Sequence, residues 1–172
     1  LVLLRLATTD TSKFEMNKKN SLINLGCRLN IYEGEIIKNH IKENDLKNIT
    51  VINSCAVTAE AEKKVKYEIR RAKRNNPTNR IIVTGCAAQI NPNKYNKLKE
   101  VDLVLGNKEK LQSKIWGNLN FKKTIQVDNI LLENEPVPTV IEKFEGKSRA
   151  YVEIQQGCDH RMYLLCNPFW QR

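Results

Sequence analysis

A chain of 172 residues holds one complete domain and the opening of a second. Its 41% hydrophobic content excludes a disordered chain, and its formal charge of +10 points to an anionic partner, nucleic acid first, or to a plain basic surface. Five cysteines, an odd number, exclude a secreted disulfide framework and suit a reducing cytoplasm, no apolar run approaches the ~18 residues of a membrane span, and a monomer is the expected state.

The chain opens on LVLLRLATTDTSKFE, an apolar patch broken by Arg5 with no basic lead-in, unlike a signal peptide and unlike the residues after it. We read residues 1–15 as a non-native or read-through leader and Met16 as the natural start. Residues 21–26 make a short apolar strand that ends at Gly26 and Cys27. Ile31, Ile36, Ile37 and Ile41 then recur at helical spacing over residues 30–43. Residues 49–54 are β-branched and polar-bounded, a second strand leading to Cys55. A long helix is predicted over residues 58–74, with Ala61, Val65, Ile69 and Ala72 on one face. Thr58 is placed to cap it, Glu60 and Glu62 suit its positive end, Lys73 and Arg74 its negative end, and Asn75-Asn76-Pro77 stops it.

Residues 80–84 are a third strand, followed by Gly85 and Cys86. A short helix over residues 92–100 turns Tyr95 and Leu98 inward, and a fourth strand covers residues 101–105. Asn107 is placed to cap a last helix that reaches Trp116, a packing residue, while His40 reads as an ordinary surface side chain. Strand and helix alternating at this pitch predict an α/β fold, an open, mostly parallel sheet with flanking helices, over residues 16–117. Residues 118–146 form a connector with short strands near 124–127 and 140–144. Residues 148–155 alternate like a strand and lead into Gly157-Cys158-Asp159-His160-Arg161, so a new domain opens over residues 147–172.

Cys27, Cys55 and Cys86 each follow a predicted strand, about one strand–helix–strand unit apart. A parallel sheet brings such strand ends to one edge, where open α/β folds place their sites. Taken singly, each cysteine is equally well a small buried hydrophobe. Taken together they point to a bound inorganic group. Structural zinc wants four ligands and a close cysteine pair, which this trio lacks. Three separated thiolates suit a [4Fe–4S] cluster with one iron free of protein ligand. Gly26 and Gly85 would let backbone approach a cluster, or serve as ordinary turn residues. Asn30 and Asn53 would donate hydrogen bonds to cluster sulfides, or cap backbone groups. On the long helix Lys63, Lys66, Arg70, Lys73 and Arg74 form a stripe with Lys64 and Arg71 beside it, either a solvated face or an RNA-facing one.

The strings LGCRLNIYEGE, VINSCAVTAEAEKK, VTGCAAQINP and VDLVLGNKEK, followed by KSRAYVEIQQGCDHR, resemble the radical-SAM methylthiotransferases over residues 20–161. Gly26-Cys27-Arg28, the run at residues 56–61 and Leu105-Gly106-Asn107 are most similar to the branch acting on N6-threonylcarbamoyladenosine at position 37 of tRNA. Branches acting on isopentenyladenosine or on a ribosomal-protein aspartate are less similar. The resemblance implies that Cys27, Cys55 and Cys86 bind an auxiliary [4Fe–4S] cluster in an N-terminal domain. It implies that Cys158 is the first ligand of a second [4Fe–4S] cluster, in a partial (β/α) barrel, whose open iron binds S-adenosyl-L-methionine. It further implies a 5′-deoxyadenosyl radical that activates the adenine C2–H bond, delivery of a methylthio group, tRNA as partner, and separate sulfur and electron donors.

The tail departs from this pattern. The C-x3-C-x2-C motif begun by Cys158 needs cysteines at 162 and 165, which are Met162 and Leu165, and Cys166 comes one position late. A methionine cannot replace a thiolate there. Removing one base from a back-translation of MYLLCNPFWQR yields CTFCVIPFGRG and restores the motif. The expectation is therefore a one-nucleotide insertion between Arg161 and Met162, and a chain that is inactive alone. Two other readings stay open: a stand-alone iron–sulfur or RNA-binding module, and a plain α/β domain with core cysteines.

Overall fold

Strand β3 (Ile49–Ser54) is buried at every residue. A strand with apolar side chains on both faces belongs in the middle of a parallel sheet, covered on both sides. The computed structural model, which describes residues 13–16, 20–56, 59–122 and 124–128, puts it there. Strands β2 (Asn20–Asn24) and β4 (Arg80–Gly85) flank β3 in parallel, and β5 (Leu103–Leu105) and β6 (Ile125–Gln126) continue the sheet beyond β4. Strand β1 (Lys13–Met16) adds antiparallel to the free edge of β2. The sheet is thus open and mostly parallel, as expected from the sequence. Residues 13–15, within the stretch read as a leader, contribute to its edge strand.

Alternation along the strands sends Leu22 and Val51 to one face and Ile23 and Ile52 to the other. Helix α1 (Arg28–Glu43) covers the first face with Ile37 and Ile41, joined by Trp116 of α5 (Ser113–Gly117). Helix α2 (Ala59–Asn75) covers the second with Val65, Ile69 and Ala72, joined by Ala87 and Ala88 of α3 (Cys86–Ile90) and Tyr95 of α4 (Pro92–Asn96). Helices α1 and α2 link neighbouring parallel strands across opposite faces, so their crossovers have opposite hands, one of them the uncommon left-handed kind. The chain therefore leaves β2 and β3 in opposite directions, the geometry that opens a site at strand C-terminal ends.

Several elements differ from expectation. Helix α3 begins directly at Cys86, where the sequence pattern predicts no helix, and α4 stops at Asn96. The last helix is split into a 3-10 turn (Glu109–Leu111) and α5, because Gln112 between them takes extended backbone with φ −93° and ψ 114°. Asn107 does not cap it; its Oδ1 accepts a hydrogen bond from Lys110 Nζ at 2.7 Å. His40 is not an ordinary surface residue. Its Nε2 meets the Leu111 carbonyl at 3.0 Å, serving an acceptor that the broken helix leaves open. The strand foreseen near residues 124–127 is β6. Thr58 and the strands foreseen at 140–144 and 148–155 lie outside the described residues.

Helix α2 offers a direct check of this packing. Ile69→Ala should lower the unfolding free energy by ~2–5 kcal/mol, because Ile69 is fully buried. Tyr67→Ala, at a mostly exposed position, should stay within ~0.5 kcal/mol. Urea titrations read both, and equal losses would overturn the assigned faces.

Candidate metal centre

The parallel register carries the three cysteines to one sheet edge. Cys27 directly precedes α1, in extended backbone, and is exposed. Cys55 follows β3 and is buried, and Cys86 follows β4 as the first residue of α3 and is also buried. None is in a disulfide. Two glycines bring these segments together. Gly26 has φ +142°, and a Cβ there would stand 2.8 Å from Cys55 Cβ and 3.2 Å from its Sγ. Gly85 has φ +93°, and a Cβ there would stand 2.3 Å from the Ser54 carbonyl oxygen. A side chain at either position would strain the backbone and push β3 away from the neighbouring turn.

Polar side chains tie the strand ends. Ser54 Oγ donates to the Thr84 carbonyl and accepts from Ala88 N at 3.3 Å, and Thr84 Oγ1 donates to the Gly106 carbonyl at 3.3 Å. Asn30 Nδ2 donates to the carbonyls of Leu25 (3.1 Å) and Ser54 (3.2 Å), and the Cys27 thiol donates to Asn30 Oδ1 over 3.7 Å. Asn53 Nδ2 donates to the Asn30 carbonyl (3.1 Å) and to Glu33 Oε2 (3.4 Å). Both asparagines thus spend their donors largely on backbone carbonyls. The buried Asn53 Oδ1 has no hydrogen-bond partner among the described residues, and it lies 2.7 Å from where a Gly85 Cβ would be.

Behind this layer sits a charge pair that sequence reasoning missed. Lys110 is fully buried, and its Nζ donates to Glu33 Oε2 at 2.6 Å and to Asn107 Oδ1 at 2.7 Å. Glu33 and Lys110 fall within two of the motif strings, but no periodicity marks either as more than a helix-surface charge. Burial pushes the Cys86 thiol up to about 11, against the pull of the Lys110 ammonium. Glu33 and the Cys27 and Cys55 side chains in their charged forms push it further up, so both other cysteines lie within electrostatic reach of Cys86.

Among the described residues, no three His, Cys, Asp or Glu side chains converge tightly enough to hold a single metal ion. Cysteines of a cubane cluster each bind a different iron and so stand apart. Three soft sulfur donors at a glycine-cleared edge, with Cys27 open to solvent, fit such a cluster chemically. Of the basic stripe on α2, Lys63, Arg70 and Arg74 are exposed. Lys66 and Lys73 are partly buried, and Lys73 Nζ donates to the Asn79 carbonyl at 2.9 Å, 3.8 Å from Asp102. Cys158, Met162, Leu165 and Cys166 lie outside the described residues.

Fold and site define a class: an open parallel α/β domain presenting three thiols at the C-terminal edge of its sheet. A family model described as uncharacterized protein family UPF0004 matches residues 19–106, and the chain belongs to that family. It is 44% identical over 153 residues to threonylcarbamoyladenosine tRNA methylthiotransferase MtaB of Rickettsia prowazekii (strain Madrid E), covering 89% of this chain and 36% of that protein. It is 36% identical to the protein of the same name from Aquifex aeolicus (strain VF5), over 84% of this chain and 38% of the relative. With the Bacillus subtilis (strain 168) protein of that name the identity is 35%, over 86% and 35%. The chain thus spans little more than a third of the length of these curated relatives. The resemblance to methylthiotransferases is borne out.

Lys110→Met should lower the unfolding free energy by ~3–5 kcal/mol, since it strands the Glu33 carboxylate in the interior. Adding Glu33→Gln should recover most of that loss; urea unfolding in which the double variant is no better than the single would contradict the pairing. In the metal-free chain at pH 8, iodoacetamide should modify exposed Cys27 at least ~tenfold faster than Cys86, whose thiol stays protonated. Raising the pH toward 11 should narrow the gap as that thiol ionises. Peptide mass spectrometry reads the rates, and equal rates at pH 8 would count against the burial of Cys86.

Proposed function

We propose that Cys27, Cys55 and Cys86 hold the auxiliary [4Fe–4S] cluster of a tRNA methylthiotransferase. The observation that carries this is the convergence of three thiols on one glycine-cleared sheet edge, in a chain similar across most of its length to proteins of that name. Such a cluster, when bound, supplies an iron free of protein ligand at which an exogenous sulfur species can be held. The chain's own residues do the positioning. Asn30, Asn53, Ser54 and Thr84 fix the strand ends, so the sulfur donors are set before any metal arrives. Lys110 offsets negative charge gathered at Cys86, and Cys27 lies on the side open to solvent.

The proposal extends to the whole protein: a cytoplasmic radical-SAM transferase acting on N6-threonylcarbamoyladenosine in tRNA. S-adenosyl-L-methionine and a second [4Fe–4S] cluster would belong to the domain begun at residues 147–172, with Cys158 as first ligand. Parallel β6, the last described strand, ends at the thiol edge, where Asp128 is held by Gln89 Nε2 on its carbonyl (3.0 Å) and by Glu109 Oε1 on its amide (3.1 Å). With Met162 and Leu165 where that second site needs thiolates, the chain is inactive by itself.

Anaerobic reconstitution with ferrous iron and sulfide should load about four irons per chain, the content of one cubane. Cys27→Ser, Cys55→Ser and Cys86→Ser should each remove most of that iron while leaving the far-UV circular dichroism of the apoprotein unchanged. Iron uptake indifferent to all three replacements, or no uptake, would leave a plain α/β domain.

A further inference from the structure

The outer face of α2 is organised around an exposed aromatic side chain. Tyr67 is 56% exposed, one of two large hydrophobic side chains so placed among the described residues. At 3.6 residues per turn, positions 63, 64, 70, 71 and 74 fall around it on the side opposite Val65, Ile69 and Ala72. Those positions are Lys63, Lys64, Arg70, Arg71 and Arg74. Glu60, in the first turn, shares this face, and Glu68 at its flank pairs with Arg71 at 3.3 Å, which leaves Lys63, Arg70 and Arg74 as its exposed cations outside that pair. The structure thus recentres the basic stripe. Lys66 and Lys73 turn toward the flank, where Lys73 is engaged with Asn79 and Asp102. Tyr67 takes the middle.

We propose that this face binds single-stranded RNA, with Tyr67 stacking on a base while Lys63, Arg70 and Arg74 meet the phosphates on either side. A planar aromatic ringed by cations suits a ligand with exposed base faces on an anionic backbone. A duplex hides its base faces and would leave the ring unused. Insertion into a membrane would need an apolar helix face, and that of α2 is committed to the core. Helix α2 starts beside Cys55 and runs ~25 Å, which places Tyr67 ~12 Å from the thiol edge along the axis. A strand laid along it would lead to that edge. The identity of the RNA as tRNA rests on the function proposed above, but the binding face itself does not depend on a cluster.

The test is fluorescence anisotropy with the full metal-free chain and a labelled RNA stem–loop, set beside the same RNA closed into a duplex. Tyr67→Ala should weaken stem–loop binding about five- to a hundredfold, the worth of one base–aromatic stack, and leave duplex binding unchanged. Tyr67→Phe, which keeps the ring, should bind within about twofold of the parent chain. Lys63→Gln and Arg70→Gln should each flatten the fall of log affinity with log salt by ~0.7. These are surface positions, and an unchanged urea midpoint confirms that each variant is folded. Stem–loop affinity unmoved by Tyr67→Ala would overturn the proposal. So would absence of RNA binding, or binding to polyglutamate as tight as to RNA, which would point to an acidic protein partner. Any of these would leave the iron-loading result standing, and a failure to load iron would leave the RNA result standing.

Discussion

A lysine ammonium with no solvent exposure must be matched from within the protein, and much of the architecture around Lys110 follows from that requirement. Its partners come from two places: Glu33 on α1, and Asn107 just after β5. Meeting both holds the 3-10 turn against α1 and draws the Asn107 side chain away from any capping role. It also leaves the Lys110 carbonyl to the Trp116 indole, whose Nε1 donates to it at 2.9 Å. The break in the last predicted helix is thus part of satisfying one buried charge. Glu33 carries the arrangement onward through Asn53 and Asn30 to the turn that holds Cys27.

That chain of contacts makes the thiol edge a built structure as well as a topological consequence. Parallel pairing alone brings strand ends to one side. It does not decide how closely the following turns approach. The two positive-φ glycines and the hydrogen bonds of Ser54, Thr84 and Asn30 do, because they let backbone pack on backbone where side chains would otherwise intervene. The opposite departures of α1 and α2 then carry both helices away from the edge, where, among the described residues, Cys27 is exposed and Cys55 and Cys86 are buried.

Helix α2 shows how one element serves two environments. Its apolar stripe buries Val65, Ile69 and Ala72 against the sheet, which supplies its stability, while its charged ends suit the helix dipole. With those demands met on one side, the outer side is free to carry cations around an aromatic ring. At the flank the Asn79 carbonyl, in the loop after α2, claims Lys73, so not every basic residue of the helix faces solvent.

How much of the fold and site is legible in the sequence depends on the range of the interactions. Strands β2 to β5, helices α1 and α2 and the shared edge of Cys27, Cys55 and Cys86 are visible there. They rest on periodicity and on β-branched runs, which act between near neighbours, and on the rule that parallel crossovers return strands in the same sense. The family motifs are legible for the same reason, as contiguous strings. The start of α3 at Cys86, the split of the last helix, the burial of Lys110 with Glu33 and the contact of His40 with Leu111 are not. Each depends on groups tens of residues apart, and in sequence a charged or polar residue looks the same whether it ends in water or against one partner in the core. The amino-acid sequence by itself determined the α/β alternation and the placing of three thiols at strand ends. Only the tertiary structure decided which polar residues are buried to hold that edge, because burial and pairing are properties of surfaces that meet after the chain has folded.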